Sequence, residues 1–331
     1  KDGEAILKQH DPNGMAYQWF LNSNNSETKF LKHKPLTSWM KQPMLLIGGW
    51  WDPHLRGLLD LYQESISSGG SPEIHIGPAT HLQWWEQVES LHLVFFNKHL
   101  KGISVSKKQK SHKKLWNITT QRWNSTIDID DKKTDYFPLG LVSSGSACFN
   151  NSEGKLKTKS KGNGWIEIVH DPWRPVPSKG SHLDQFPGPT DRSDLDKRLD
   201  IATFTSSAFK EEVCLEGIPM LEVISESDQK GFDLCVALSI VSKNQLETKQ
   251  ISTGFARFIG KDASIPISRR VYLQPIYASI KANEFLRISI SGSSWPAIGI
   301  NPGNGDKKCG PSSPKCLVVT LILNLEQSKL A

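Results

Sequence analysis

Apolar and polar positions follow two different periods along this chain, and the change of period divides it. Residues 1–40 are polar with isolated aromatics, Tyr17, Trp19, Phe20, Phe30 and Trp39, a texture of short helices or a loop-rich cap. From Pro43 the pattern tightens. Met44–Ile47 is a short continuous apolar run, as expected of a strand buried on both faces. Leu55, Leu58, Leu59 and Tyr62 then recur at helical spacing, and Ser67-Ser68-Gly69-Gly70 ends that helix. Glu73–Ile76 reads as a second strand, broken by Gly77-Pro78. Trp84, Val88, Leu91, Phe95 and Phe96 place a second amphipathic helix, starting near Leu82 and stopping before Gly102. Strand, helix, strand, helix in quick succession predicts a βαβ unit in a parallel sheet.

Beyond about residue 130 the period becomes two. Phe232, Leu234, Val236, Leu238 and Ile240 alternate with Asp233, Cys235, Ala237 and Ser239, and Leu286, Ile288 and Ile290 alternate with Arg287, Ser289 and Ser291. Similar stretches lie at 165–169, 221–225, 254–258, 270–280 and 316–325. Turn-forming clusters separate them, at 171–177, 187–191 and 301–306. Many short strands without long helices predict an antiparallel β-sandwich. The fold class is therefore α/β followed by all-β. Its expected divisions are a cap remainder (1–40), an α/β portion (41–130) and a β-sandwich (131–331).

Composition narrows the function classes. With 331 residues, 11 Trp and 13 Phe, the chain can build sizeable cores. No stretch approaches the roughly 18 apolar residues of a membrane span, and no targeting segment opens the chain, so a cytoplasmic protein without membrane association is expected. The first residue is Lys1, not Met, which reads as a fragment or a processed product. The net charge of +6 is concentrated in Lys107, Lys108, Lys110, Lys113 and Lys114, and in Lys155, Lys157, Lys159 and Lys161. Neither cluster carries interleaved aromatics or a nucleic-acid motif, so solvated loops and no nucleic-acid partner are expected. Cys214 and Cys235 read as small core residues. Cys309 and Cys316 bracket a short loop and could pair, although a reducing compartment is the simpler reading. No phosphate-binding glycine loop and no cluster with metal-ligand spacing is present, so neither a cofactor nor a metal is expected.

Chemistry concentrates at two strand ends, where parallel sheets gather their ligands. Asp52 follows the first strand through Gly48-Gly49-Trp50-Trp51, and His81 follows the second. An Asp that accepts a hydrogen bond from one ring nitrogen of His fixes its tautomer and stabilises the imidazolium formed in catalysis. Acid before His is also the order of the last two members of an α/β-hydrolase triad. A second reading stands beside this one: Asp52 and His81 each precede a helix and suit a cap. His54, at a helix start, suits a surface or pocket wall, and His75, within a strand, suits packing.

The stretch PMLLIGGWWDPHLRGLLDLY followed by IHIGPATH resembles the acid and histidine segments of the CocE/NonD hydrolases, which include cocaine esterase and X-prolyl dipeptidyl-peptidases. The resemblance continues through FFNKHLKG (95–102), HDPWRPVPSKG (170–180), DKRLDIATFTS (196–206) and LRISISGSSWPAIGINPGNG (286–305), and so covers almost the whole chain. It implies an α/β-hydrolase domain with a helical cap and a C-terminal jelly-roll resembling galactose-binding modules. The implied activity is cleavage of acyl ester or amide bonds through Ser, Asp and His. Asp52 matches the acid and His81 the general base, with Trp50 and Trp51 as pocket walls beside His54. No nucleophile turn precedes Asp52; Gly292-Ser293-Ser294 is the nearest match and a poor one. Ala79 stands where the family usually has Trp. The expectation is the C-terminal portion of a serine hydrolase, inactive until a separate or longer N-terminal segment supplies Ser, and acting on small-molecule or peptide acyl substrates. The alternatives are a non-catalytic β-sandwich binding or assembly module, or an inactive remnant. A homo-oligomer is compatible with either.

Overall fold

The computed structural model describes residues 3–22, 35–103, 113–125, 138–158, 161–306 and 309–331. Two short helices, α1 (Gly3–His10) and α2 (Met15–Asn22), come first. Phe30 and Lys107, Lys108, Lys110 and Lys159 lie outside the described residues.

The α/β portion runs β1 (Leu45–Trp51), α3 (Leu55–Ser67), β2 (Glu73–Thr80), α4 (Val88–Lys101), β3 (Lys113–Asn117) and β4 (Arg122–Ser125). β1, β2 and β3 are parallel neighbours and β4 turns back antiparallel on β3. The predicted βαβ unit is therefore present. Its second strand, however, continues through Gly77-Pro78 to Thr80. Past Ile76 the strand is registered with β1 alone, so the missing Pro78 N–H breaks no ladder on the other side. α4 ends as expected, on Gly102 in the left-handed region (φ 68°). Its apolar positions are only partly covered: Val88, Leu91 and Phe95 are half-buried, and Leu93, Phe96 and Leu100 are exposed. Among the described residues the outer edge of β1 is unpaired.

The remaining strands are β5 (Leu139–Val142), β6 (Lys155–Thr158), β7 (Trp165–His170), β8 (Thr190–Asp191), β9 (Ile201–Ser206), β10 (Val213–Gly217), β11 (Met220–Ser227), β12 (Gly231–Val241), β13 (Thr248–Ile259), β14 (Ile267–Tyr272), β15 (Ile276–Ile280), β16 (Phe285–Ser291) and β17 (Val319–Leu330). All but β10 and β15 join one 11-stranded, mostly antiparallel sheet that closes over a core of Leu, Ile, Val and Phe. An α/β portion with a parallel sheet thus precedes a C-terminal β-sandwich. The predicted stretch 270–280 is two strands, interrupted at 273–275. β12 is buried at every position, because its small and polar face is also covered, in part by the 176–181 segment. Cys214 is exposed rather than core, whereas Cys235 is buried; all five cysteines are free.

Buried charges fix the sandwich. Asp196, fully buried, accepts from Arg192 Nε (2.8 Å) and Ser289 Oγ (2.9 Å) and faces Arg287 (3.3 Å). Asp233 takes a two-pronged ion pair from Arg257 (2.8 and 2.7 Å) and a bond from Asn301. Asp196, Arg287, Ser289 and Asn301 lie in segments that carried the family resemblance, and their work is structural. The two portions are joined by Asn117–Thr119 bonding Tyr277 and Ser279, and by Gln274 bonding the Asp52 carbonyl. Asn117 is thereby buried and internally bonded. Lys113 pairs with Glu216 across the same junction, and Lys155 and Lys157 are exposed on β6. Among the described residues no helix is long and apolar enough to cross a membrane.

Candidate active site

The end of β1 is shaped by what Gly49 lacks. A Cβ there would lie 2.3 Å from the Ala79 carbonyl oxygen of β2, so only glycine allows this approach. Ala79 is itself buried against Gly49, not in a pocket. Similarly, a Cβ on Gly77 would enter the Trp85 ring. The register shifts between Gly49 and Trp51, and Trp51 comes to sit opposite Thr80. Asp52 and His81, each one residue further along parallel neighbours, therefore emerge side by side.

Asp52 is held on every side. Its backbone N–H donates to Gly49 (3.2 Å), and its carbonyl accepts from Leu55 N–H (3.1 Å) and Gln274 Nε2 (2.6 Å). Its side chain is buried, and Oδ1 accepts the His54 N–H at 2.8 Å. His81 Nδ1 stands 3.4 Å from both carboxylate oxygens. The two readings of Asp52 thus coexist: it closes the turn into α3 and it faces the imidazole. His81 caps nothing, because residues 81–87 are loop and the helix begins only at Val88. With Nδ1 turned to Asp52, Nε2 is left as the outward proton acceptor.

His81 opens on a cavity of about 520 Å³. One wall is Trp51, Pro53 and Thr80–Gln83; the other is His182–Pro187 of the β-sandwich, with Leu183 and Phe186 exposed. His182 is largely enclosed, bonds Thr253 Oγ1 at 3.2 Å, and is held down to a pKa of about 4 by burial and then by Arg56. It stays neutral.

The other sequence candidates separate. Trp50 is buried, its Nε1 donating to the Trp116 carbonyl at 2.6 Å; it lines a small cavity with Trp51 and does not reach the His81 cavity. Its reach across the sheet is an anchor for the strand end. His54 is exposed, with its ring centroid 4.9 Å from that of His81. His75 is buried between β1 and β3, and burial, then Lys114, lowers its pKa to about 4. Ser294 lines a 20 Å³ interior cavity of the sandwich. Spacing along the chain showed no metal-type cluster, yet the fold brings ligand atoms of Asp52, His54 and His81 within 4.8 Å of one another. Gln274 and the 182–187 wall were not found by sequence reasoning. Both lie far along the chain from the site they serve, and no local motif marks them.

Residues 106–327 match the family model of the X-Pro dipeptidyl-peptidase C-terminal non-catalytic domain, and residues 1–83 match that of the X-Pro dipeptidyl-peptidase S15 family. A comparison with curated protein sequences gives no match. Among solved structures, an aminopeptidase from a marine sediment archaeon, Thaumarchaeota archaeon, superposes at TM-score 0.76 and 15% identity over 99% of this chain and 61% of its own. An α-amino acid ester hydrolase superposes at TM-score 0.76 and 17% identity, over 99% of this chain and 62% of its own. A CocE/NonD family hydrolase from Staphylococcus aureus gives TM-score 0.60 and 14% identity over 89% and 54%. At these identities the likeness is one of fold. The chain spans about three fifths of the length of the first two structures.

Proposed function

Because this chain belongs to the X-Pro dipeptidyl-peptidase family, carrying that family's C-terminal non-catalytic domain over residues 106–327, we propose that it supplies the acid and the general base of a serine hydrolase. The observation that carries the proposal is the placement of buried Asp52 against Nδ1 of His81 at the mouth of the 520 Å³ cavity. Nε2 takes the proton of a serine hydroxyl as its oxygen attacks a carbonyl carbon, and Asp52 stabilises the imidazolium so formed. The same proton passes to the leaving oxygen or nitrogen as the acyl bond breaks, and water repeats the cycle.

No serine lines the cavity among the described residues. The nucleophile and the oxyanion donors come, in this reading, from a segment outside residues 1–331, joined in one longer chain or bound as a separate piece. The open edge of β1 and the uncovered apolar positions of α4 support it, since a further strand and its neighbours would cover both. The substrates are small acyl esters or amides, with ester preferred over dipeptide. Leu183 and Phe186 would meet an apolar group beside the scissile bond. A second reading, a binding or assembly module, is favoured by the description of the 106–327 family as non-catalytic.

The test is hydrolysis of p-nitrophenyl esters and labelling by a fluorophosphonate. Residues 1–331 alone are expected to do neither, and the chain completed by the missing segment to do both. Turnover by residues 1–331 alone that vanishes in His81→Ala would refute the external nucleophile. Failure of the completed chain to label would favour the binding module.

A further inference from the structure

We propose that Asp52, His54 and His81 form a binding site for a divalent cation of zinc type, and that the cation silences His81. The first observation is a distance that also suits a shared metal ion. Charge-assisted N–H···O⁻ bonds close to about 2.7–2.9 Å, whereas His81 Nδ1 stands 3.4 Å from both Asp52 oxygens. A zinc ion about 2.0–2.1 Å from a nitrogen and an oxygen, at the tetrahedral angle, holds those two atoms about 3.4 Å apart. The pair is already set at ligand spacing.

The second observation is the third donor. A His54 ring nitrogen, an Asp52 oxygen and a His81 nitrogen all lie within 4.8 Å of one another. His54 is exposed, and in this proposal its side chain turns toward the pair when the cation binds. Its N–H already donates to Asp52 Oδ1 at 2.8 Å, which fixes the carboxylate as an outer-shell bond does in metal sites. Two imidazoles and one carboxylate suit zinc rather than magnesium or calcium. Of the three, His81 also lines the neighbouring cavity, and water or an anion would supply the fourth ligand.

Occupancy changes the proton chemistry. A cation on Nδ1 replaces the proton that Asp52 would hold there, and its charge draws electron density from the ring. Nε2 then accepts a proton poorly, and Asp52 is committed to the metal. The ion becomes a reversible stop on the general base. This consequence rests on the hydrolase reading; binding itself does not.

The experiment separates the two. Metal-stripped residues 1–331 are titrated calorimetrically with zinc chloride, and with cobalt(II) while the visible spectrum is recorded. The expected result is one site whose cobalt complex shows d–d bands without a thiolate charge-transfer band. Affinity should fall about tenfold or more in His54→Ala and in His81→Ala, and be unchanged in a Cys309→Ser, Cys316→Ser variant. Both histidines are exposed, so these variants keep the fold. Absence of binding, a thiolate band, or affinity unchanged in either histidine variant would overturn the site. If the site binds zinc but the completed hydrolase turns over equally with and without stoichiometric zinc, the silencing role is overturned.

Discussion

Replacing Asp196 by alanine isolates the charge network that holds the β-sandwich together. The carboxylate is fully buried, and three groups depend on it: Arg192 Nε at 2.8 Å, Ser289 Oγ at 2.9 Å and Arg287 at 3.3 Å. Both guanidinium groups are themselves buried, so two positive charges share one negative charge away from water. Alanine leaves both without a carboxylate. Arg192 keeps Gln250 Oε1 (2.7 Å) and Arg287 keeps Thr205 Oγ1 (2.9 Å), neutral acceptors that do not balance charge. Removing one partner of a buried ion pair costs about 3–5 kcal/mol, and the doubled arginine count places Asp196→Ala at the upper end of that range. Asp196→Asn keeps the volume but turns an amide N–H₂ toward one donor, and should still cost about 2 kcal/mol or more. Arg287→Met leaves the Arg192 pair intact and should cost less than either. Equilibrium urea unfolding followed by tryptophan fluorescence reads these differences from the shift in midpoint. A loss below about 1 kcal/mol for Asp196→Ala would refute the assignment of the network as a keystone.

Three further outcomes are expected. Gly49→Ala should destabilise by about 1–3 kcal/mol in urea unfolding, and Ala79→Gly should not rescue it, because the clash at 2.3 Å is with the Ala79 backbone oxygen. Gln274→Ala removes a 2.6 Å bond to the Asp52 carbonyl; amide exchange should quicken at Asp52–Leu55, with a cost of about 1–3 kcal/mol. His75 and His182 both have folded pKa values lowered to about 4 from 6.5, so the unfolded chain binds more protons between those values. Their stabilisation is complete above pH 6.5 and is lost as pH falls toward 4; from His75 it amounts to roughly 3 kcal/mol. His75→Gln should flatten that acid limb of the stability curve.

The parts of the fold that sequence revealed are those with local causes. A continuous apolar run marked β1, helical spacing marked α3, and period-two alternation marked the sandwich strands. Gly77-Pro78 misled because a proline breaks a strand only where its missing N–H is needed, and there β2 is registered on one side alone. The amphipathic pattern of α4 was real, but the face it advertises is only half covered among the described residues, with Val88, Leu91 and Phe95 half-buried and Phe96 exposed. At the site, chain order paired Asp52 with His81. Gln274, 222 residues from Asp52, and the 182–187 wall could not be read, since the closing of the sandwich alone brings them there. The same holds for His54: its nearness to Asp52 was visible, but its approach to His81 depends on the return of β2.

The central claim is that Asp52 and His81 act together on a serine proton. The most direct measurement is kcat for p-nitrophenyl ester hydrolysis by the completed hydrolase, compared with its His81→Ala and Asp52→Asn variants. Asp52→Asn should lose about ten-thousand-fold and His81→Ala about a million-fold, with the double variant no worse than the worse single, as for residues working as one unit. Activity within tenfold of the parent in either single variant would contradict the account.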